Sequence, residues 1–350
     1  MSNEDLPLTT GELNLDTVSR KEPHLLQRLA GDASVRVLTV RGTDVVTTDD
    51  ATGPHLQTLP ASDLDPSDLP VSDLPASGPP ASGPPASDLP ASDLPGQNDG
   101  ALWAYLGTAG ECTYLARLLP APGDNGQQLP SLRSVGQFLP ETEAALATTA
   151  VALANWHRRH THCPGCGRPT EVVEAGWVRR CPAEGTDHFP RTDPAVIMAI
   201  TDPDDRLLLA RSAHWPQGRF SVPAGFVEPG ESLEQAVRRE VGEETTIRVQ
   251  DVTYRGTQPW PFPGSLMCGF TGTTTDTAPH PDGAEIAEAR FFTRAELNLH
   301  WQSGSIRPPG AISIAHALIS QWFGGPIPSP STTPTTSSTA SVTGTCQNRR

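Results

Sequence analysis

Basic residues are scarce in this chain. Lys and Arg number 25 against 40 Asp and Glu, a net charge of −15 over 350 residues. That balance argues against a general nucleic-acid binder, which carries a basic total or a basic face. Long apolar runs are missing too. No stretch approaches the roughly 18 apolar residues of a membrane span, and mean hydropathy is −0.34. Cysteine is sparse. Six in the whole chain, three of them clustered, do not make a disulfide framework. The opening MSNEDLPLTTGELNLD is acidic and has no apolar core, so no secretory signal is expected. The expectation is a cytoplasmic protein that does not enter a membrane. Aromatic residues are few as well, at 5%.

Proline and glycine, by contrast, are plentiful: 37 and 31 residues. Part of the chain is therefore expected not to fold. From Ala61 to Pro95 a five-residue unit repeats seven times (ASDLD PSDLP VSDLP ASGPP ASGPP ASDLP ASDLP). A period of five suits neither helix nor strand, and proline removes donors and disfavours the α conformation before it. The segment 61–95 is expected to be a disordered insertion. Taking it out moves the net charge from −15 to −9, because it holds six Asp and no base. The Ser/Thr-rich end, 326–350, is expected to be a disordered tail. What remains divides into an N-terminal α+β domain over 1–160, a cysteine-bearing segment over 161–190 and a larger domain over 191–325. In the first, Val35–Gly42, Ala101–Gly107 and Thr113–Pro120 read as strands, and Thr142–His160 reads as a helix. The last begins with two apolar strands, Pro194–Ile200 and Arg206–Arg211, joined by a DPDD turn.

The stretch PAGFVEPGESLEQAVRREVGEETTI (Pro223–Ile247) carries the most information. Ser232 followed by Gln235 is a capping-box pattern, so a helix should begin there. Leu233, Ala236, Val237 and Val241 fall on one face. Beside them lie Glu240, Glu243 and Glu244. Like charges at i,i+4 near a helix C-terminus are unfavourable, and a cation would compensate them. Oxygen ligands on one ridge suit Mg²⁺ or Mn²⁺ beside phosphate. By spacing alone, a solvated Glu-rich surface helix explains the pattern equally well.

This stretch resembles the box of the Nudix hydrolases, G-x5-E-x7-R-E-U-x-E-E-x-G-U with U apolar. It matches through Gly225, Glu231, Arg239, Glu240, Val241, Glu243, Glu244 and Ile247. Thr246 replaces the second Gly, so an altered helix end is expected. The resemblance implies that Glu240 and Glu244 are metal ligands and that Glu243 is a further ligand or the base. It also implies that the carbonyl of Ala224 binds metal and that Glu231 pairs with Arg239 to fix the loop.

Downstream, Gln258-Pro259-Trp260-Pro261-Phe262-Pro263-Gly264-Ser265 interleaves aromatics with prolines. Rigid aromatic faces suit stacking on a flat ring; a proline-stiffened surface loop is the plainer reading. The segment resembles the SQPWPFPxS signature of the NADH pyrophosphatase (NAD diphosphatase) family and begins 14 residues after Glu244. That family implies an α/β Nudix fold, a mixed β-sheet sandwiched between helices, with a zinc-ribbon-like insert and a smaller N-terminal domain. It implies hydrolysis of the pyrophosphate of NADH or NAD⁺ to nicotinamide mononucleotide and AMP. Removal of an NAD cap from RNA 5′ ends, by the same chemistry, and a non-cleaving dinucleotide sensor are the alternatives. The resemblance further implies that Glu285 completes the metal site and that Phe226 stacks on the nucleotide. Phe189 would reach the substrate of the partner in a homodimer, and Ala315 would lie near the substrate.

Cys163-Pro-Gly-Cys166 followed by Cys181 looks like a zinc ribbon whose fourth position is Glu184 instead of Cys. Structural Zn²⁺ held by Cys163, Cys166, Cys181 and Glu184 is the expectation; Asp187, His188, His160 and His162 are the other candidates for the fourth ligand. A decayed ribbon with three reduced thiols is the alternative. Cys112 and Cys268 sit in strand-like runs and are expected to be buried thiols. Arg158-Arg159-His160 and Arg179-Arg180 read as a solvated helix end, or else as a basic patch facing the substrate's phosphates or RNA.

Overall fold

The computed structural model describes residues 6–9, 11–64, 100–120 and 129–328. Most of the pentapeptide repeat and almost all of the 326–350 tail lie outside the described residues. The N-terminal half contains α1 (Leu25–Leu29), β1 (Val35–Arg41), β2 (Asp44–Val45), β3 (Thr47–Asp50), β4 (Gly53–Leu56), β5 (Thr58–Pro60), β6 (Leu102–Ala109), β7 (Cys112–Leu119), α2 (Leu132–Val135) and α3 (Glu141–Arg159). Strands run β2-β1-β7-β6, with β5 also paired to β1; β1 and β7 are parallel. The alanines that make α3 a good helix also let it lie close on this sheet: Ala144, Ala147, Ala150 and Val151 are fully or nearly buried against Leu38, Val40, Leu106 and Leu118. The first repeat unit begins inside the fold. Ala61, 1% exposed, packs with Val35, Trp103 and Leu115.

A small three-stranded antiparallel sheet follows, β8 (Glu171–Val173), β9 (Val178–Arg180) and β10 (Asp187–His188) in the order β10-β9-β8. It is fastened to α3 by a buried polar network. Arg179 donates to Thr170 Oγ1 at 2.8 Å and to His157 Nδ1 at 3.0 Å. With Nδ1 accepting, the His157 proton lies on Nε2, which donates to the Gly176 carbonyl at 2.9 Å. Arg179-Arg180 is therefore neither the expected solvated helix end nor the alternative basic patch: both residues lie in β9, Arg179 is buried in this network, and Arg180 is paired with Asp187 at 2.7 Å.

The third unit contains β11 (Asp193–Thr201), β12 (Leu207–Ser212), β13 (Ala224–Phe226), α4 (Leu233–Thr245), β14 (Gln250–Trp260), β15 (Ser265–Thr273), β16 (Ile286–Phe292), α5 (Arg294–Ser303) and α6 (Ile314–Phe323). The sheet order is β14-β15-β11-β12-β16, with β13 on β11. It is mixed, since β11 and β15 are parallel and the other pairs antiparallel. Its central strand β11 is apolar on both faces because both are covered. Val196, Met198 and Ile200 pack with Val237 and Val241 of α4, and Ile197 and Ala199 pack with Leu297 of α5 and Leu318 of α6. The sheet is thus sandwiched between helices. Among the described residues no helix is long and apolar enough to cross a membrane.

The capping box forms as expected: Gln235 N–H donates to Ser232 Oγ, and Ser232 N–H to Gln235 Oε1 at 2.7 Å. The expected change at the other end does not occur. Thr246 takes the left-handed conformation itself, φ 63°, and its N–H closes on the Gly242 carbonyl at 2.9 Å. A β-branched residue there is strained. The burial of Ile247, 0% exposed, fixes the chain path beyond it.

Candidate active site

Gly225 is where the chemistry meets the fold. It pairs with Val196 on the sheet face covered by α4, and the Glu240 carboxyl occupies the space a side chain would need. A Cβ on Gly225 would lie 1.9 Å from Glu240 Cδ. Arg239 ties the loop to the helix. Its guanidinium bonds both Glu231 oxygens, the Phe226 carbonyl at 2.9 Å, Glu240 Oε1 at 2.9 Å and Glu243 Oε2 at 3.2 Å. Glu231 is held below the usual carboxylate range, chiefly by Arg239. It also receives the Glu228 N–H, closing the Pro229-Gly230 turn.

Beside this anchored pair lies an uncompensated one. Glu244 is 8% exposed, and among the described residues its Oε2 has no hydrogen-bond partner. Burial pushes its carboxyl up to about 8, helped by Glu240, Glu285, Asp282 and Glu243. Burial also raises Glu240, against the pull of Arg239. The structure thus brings Glu240 and Glu244 of α4 within electrostatic reach of Glu285, which precedes β16. Glu243 stands apart, exposed at the rim and engaged with Arg239. Ala224 is exposed at the start of β13, next to Gly225. An orphaned buried oxygen among repelling carboxylates fits a hard divalent cation.

Asp282 is a participant the sequence reading missed. Its carboxylate accepts the N–H groups of Ala284, Glu285 and Ile286, which shapes the turn that presents Glu285. The Asp-Gly pair at 282–283 is the turn signal that could have found it.

The proline–aromatic segment is not a free loop. Gln258, Pro259 and Trp260 end β14, 261–264 form the turn, and Ser265 opens β15. Gln258 is fully buried. Its amide donates to the carbonyls of Pro7 and Ile312 and accepts the Ile314 N–H at 2.8 Å. Asn155 of α3 donates to the Pro261 carbonyl at 2.7 Å. Trp260 and Phe262 meet edge to face at 5.0 Å and pack against the N-terminal core, with Arg133 over both rings. One side stays open: Pro259, Trp260, Pro263, Gly264 and Ser265 line a cavity of about 170 Å³ facing Trp156 of α3. Ring faces exposed to solvent are supplied elsewhere, by Phe226 and Phe189, 59% and 54% exposed. Ala315 is buried at the start of α6, and its N–H is taken by Ser313 Oγ.

In the small sheet, ligand atoms of Cys163, Cys166, Cys181 and Glu184 all lie within 4.8 Å of one another. Two matching turns present them: Gly167 N–H closes on the Cys163 carbonyl and Gly185 N–H on that of Cys181, each at 2.8 Å. The other candidates for the fourth ligand are engaged elsewhere. Asp187 pairs with Arg180, His160 Nδ1 with the Trp156 carbonyl and His162 Nδ1 with Thr161. His188 Nε2 lies 3.5 Å from Thr186 Oγ1. Three thiols and a carboxylate in this space suit tetrahedral zinc. Cys268 is buried as expected, whereas Cys112 is only half-buried.

Residues 191–309 match the NUDIX domain family, and residues 158–189 match the NADH pyrophosphatase zinc ribbon domain. The chain carries a Nudix domain behind that ribbon. It is 46% identical over 201 residues to the NAD-capped RNA hydrolase NudC of Mycobacterium bovis (strain BCG / Pasteur 1173P2), covering 55% of this chain and 64% of that protein. It is 41% identical over 198 residues to the NAD-capped RNA hydrolase NUDT12 of Homo sapiens, covering 53% and 43%. The chain therefore matches less than two thirds of the length of either relative. The acidic ridge of α4 and the paired cysteine turns both fall inside the matched regions.

Proposed function

We propose that this chain hydrolyses the pyrophosphate bond of NADH and NAD⁺, giving nicotinamide mononucleotide, reduced or oxidised, and AMP. The observation that carries the reading is the unpartnered, buried Glu244 oxygen among Glu240 and Glu285. These three carboxylates and the Ala224 carbonyl would hold Mg²⁺ or Mn²⁺. A divalent cation there neutralises the diphosphate and makes water a better nucleophile. Water attacks one phosphorus and forms a new P–O bond. The bridging P–O bond breaks, and its electron pair leaves on the departing phosphate. Glu243 or a neighbouring carboxylate takes the proton. Phe226 and Phe189 offer ring faces to the dinucleotide, and Pro259, Trp260, Pro263, Gly264 and Ser265 offer it a cavity wall, which buried Gln258 and Ala315 support from beneath. Gly225, Glu231 and Arg239 hold that geometry.

Zinc on Cys163, Cys166, Cys181 and Glu184 has a structural role in this reading. The working unit is a cytoplasmic homodimer, and the chain divides at about residues 160, 190 and 325. A second reading, removal of the NAD cap from RNA, is supported by the names of the relatives and uses the same bond. The test is incubation with NADH and Mg²⁺ or Mn²⁺, with products separated by chromatography. AMP and reduced nicotinamide mononucleotide are expected. No cleavage with either metal refutes the reading, and competition between NADH and NAD-capped RNA ranks the two substrates.

A further inference from the structure

The thiols of the small sheet differ in exposure and in company. Cys163 and Cys181 are buried, whereas Cys166 is exposed. Cys163 is committed to the carboxylate: its Sγ donates to Glu184 Oε2 at 3.1 Å. The sulfurs of Cys166 and Cys181 touch each other at 3.5 Å. Among the described residues the other cysteines are Cys112 and Cys268, and neither belongs to this cluster. The turns that carry the touching pair have room to move. Gly167 and Gly185, which close them, are left-handed at φ 72° and 66°, and a Cβ on either would meet nothing within 4 Å.

An exposed thiol beside a buried one lets an oxidant attack the first and lets the second resolve the product. Hydrogen peroxide is an oxidant that can do this. The Cys166 sulfur attacks one peroxide oxygen, the O–O bond breaks, and the departing hydroxide takes the thiol proton as water. Cys166 is then a sulfenic acid. The Cys181 sulfur attacks the Cys166 sulfur, the S–S bond forms, the S–O bond breaks, and the second hydroxide leaves with the second proton. Both sulfurs are oxidised, and one peroxide is reduced to two waters. From a loaded ribbon the sulfurs start without protons, and each step releases hydroxide instead. The competing bridge, Cys163 to Cys166, would require Cys163 to give up its bond to Glu184. A disulfide sulfur is no longer a thiolate ligand. Closing the Cys166–Cys181 bridge therefore leaves Cys163 and Glu184, too few for a tetrahedral site.

We propose that Cys166 and Cys181 are a peroxide-oxidisable pair, and that closing it empties the ribbon of zinc. The release rests on the zinc assignment in the proposed function; the pairing of the thiols does not. The full chain, as purified and after EDTA, is treated with hydrogen peroxide, blocked with iodoacetamide and digested with trypsin without reductant. Cleavage after Arg159, Arg179, Arg180 and Arg191 places Cys163 and Cys166 in the peptide 160–179 and Cys181 in the peptide 181–191. The expected product is these two peptides joined, lighter than their sum by two hydrogens, with fragmentation between Cys163 and Cys166 placing the bond on Cys166. Cys166→Ser should lose the joined product, and dithiothreitol should reverse it in the unaltered chain. A chromogenic chelator should show zinc leaving the chain in step with the bridge. A bridge inside 160–179, a bond on Cys163, or no bridge in either sample overturns the pairing. Zinc that leaves before the bridge forms, or stays after it, overturns the release. A chain purified without zinc removes the zinc assignment and the release with it, and the bridge still decides the pair.

Discussion

Replacing Glu244 by Gln should stabilise the metal-free protein while removing its response to metal. The Glu244 carboxyl moves from an ordinary 4.5 to about 8 in the folded protein. A raised acid binds its proton more tightly when folded. Stability from this group is therefore present below about pH 4.5 and is lost as pH rises toward 8. At pH 7 the shift corresponds to an upper bound of about 3 kcal/mol, at roughly 1.4 kcal/mol per unit. Water reaching the site brings the expected gain down to about 1–3 kcal/mol. Gln keeps the shape without the charge, so in EDTA its melting temperature should exceed that of the unaltered chain by about 3–9 °C at pH 7. The difference should shrink at pH 5. Saturating Mg²⁺ should then raise the unaltered chain by a few degrees and leave the variant unmoved, and NADH turnover should vanish in the variant. Thermal melts at pH 5, 7 and 8 with EDTA or Mg²⁺ read all of this. An unaltered chain that does not respond to Mg²⁺, or a variant that responds equally, refutes the metal assignment. A variant less stable than the unaltered chain in EDTA refutes the electrostatic argument.

Gly225→Ala should cost about a hundredfold in NADH turnover with the circular dichroism spectrum unchanged, because its Cβ would displace the Glu240 carboxyl by more than an ångström; turnover near normal would show that Glu240 need not sit there. Glu184→Cys should slow transfer of zinc to a chromogenic chelator, and Glu184→Ala should speed it, since the carboxylate is the one oxygen in a set of three thiols; equal rates would remove Glu184 from the ligand set. His157 is buried and pushed down to about 4, chiefly by burial. Its neutral form is required in the fold, so stability is lost as pH falls from about 6.5 toward 4, by up to about 3 kcal/mol. His157→Gln should flatten that part of the pH dependence in urea melts, and an unchanged slope would place the loss on other groups.

The parts legible in the sequence are those whose signals are local. Ser232 and Gln235 mark the start of α4 because a capping box is complete within four residues. The strand Pro194–Ile200 is visible as an apolar run, and its burial on both faces follows from that run. Helical spacing puts Glu240 and Glu244 on one ridge, which a solvated surface helix would fit equally well; the resemblance to the Nudix box is what singles them out. Thr246 misleads for the opposite reason. Its propensity is local, but its conformation is set by where Ile247 must go. Gln258 shows the same limit more strongly. Its partners, Pro7 and Ile312, lie 251 and 54 residues away in sequence. Nothing in the string Gln-Pro-Trp-Pro-Phe-Pro announces a buried amide.

The proline–aromatic segment therefore has two jobs that its composition does not separate. Its open side lines a cavity, which is where a substrate could be read. Its other contacts are with the N-terminal half, through Asn155, Arg133 and the core beneath Trp260 and Phe262. Asn155 lies two residues before His157, which is bonded to Arg179 of the ribbon sheet. A continuous series of short contacts thus runs from the cysteine cluster through Arg179, His157 and α3 to the Pro261 carbonyl and the cavity wall. A zinc ion held at the cysteine cluster, with no part in the proposed chemistry, would still bear on it by this route. The ribbon fixes Arg179, Arg179 fixes one end of α3, and α3 fixes the wall against which the dinucleotide would lie. Rigid helices and satisfied buried hydrogen bonds transmit position in this way, because a small displacement at one end cannot be absorbed by loose packing in between.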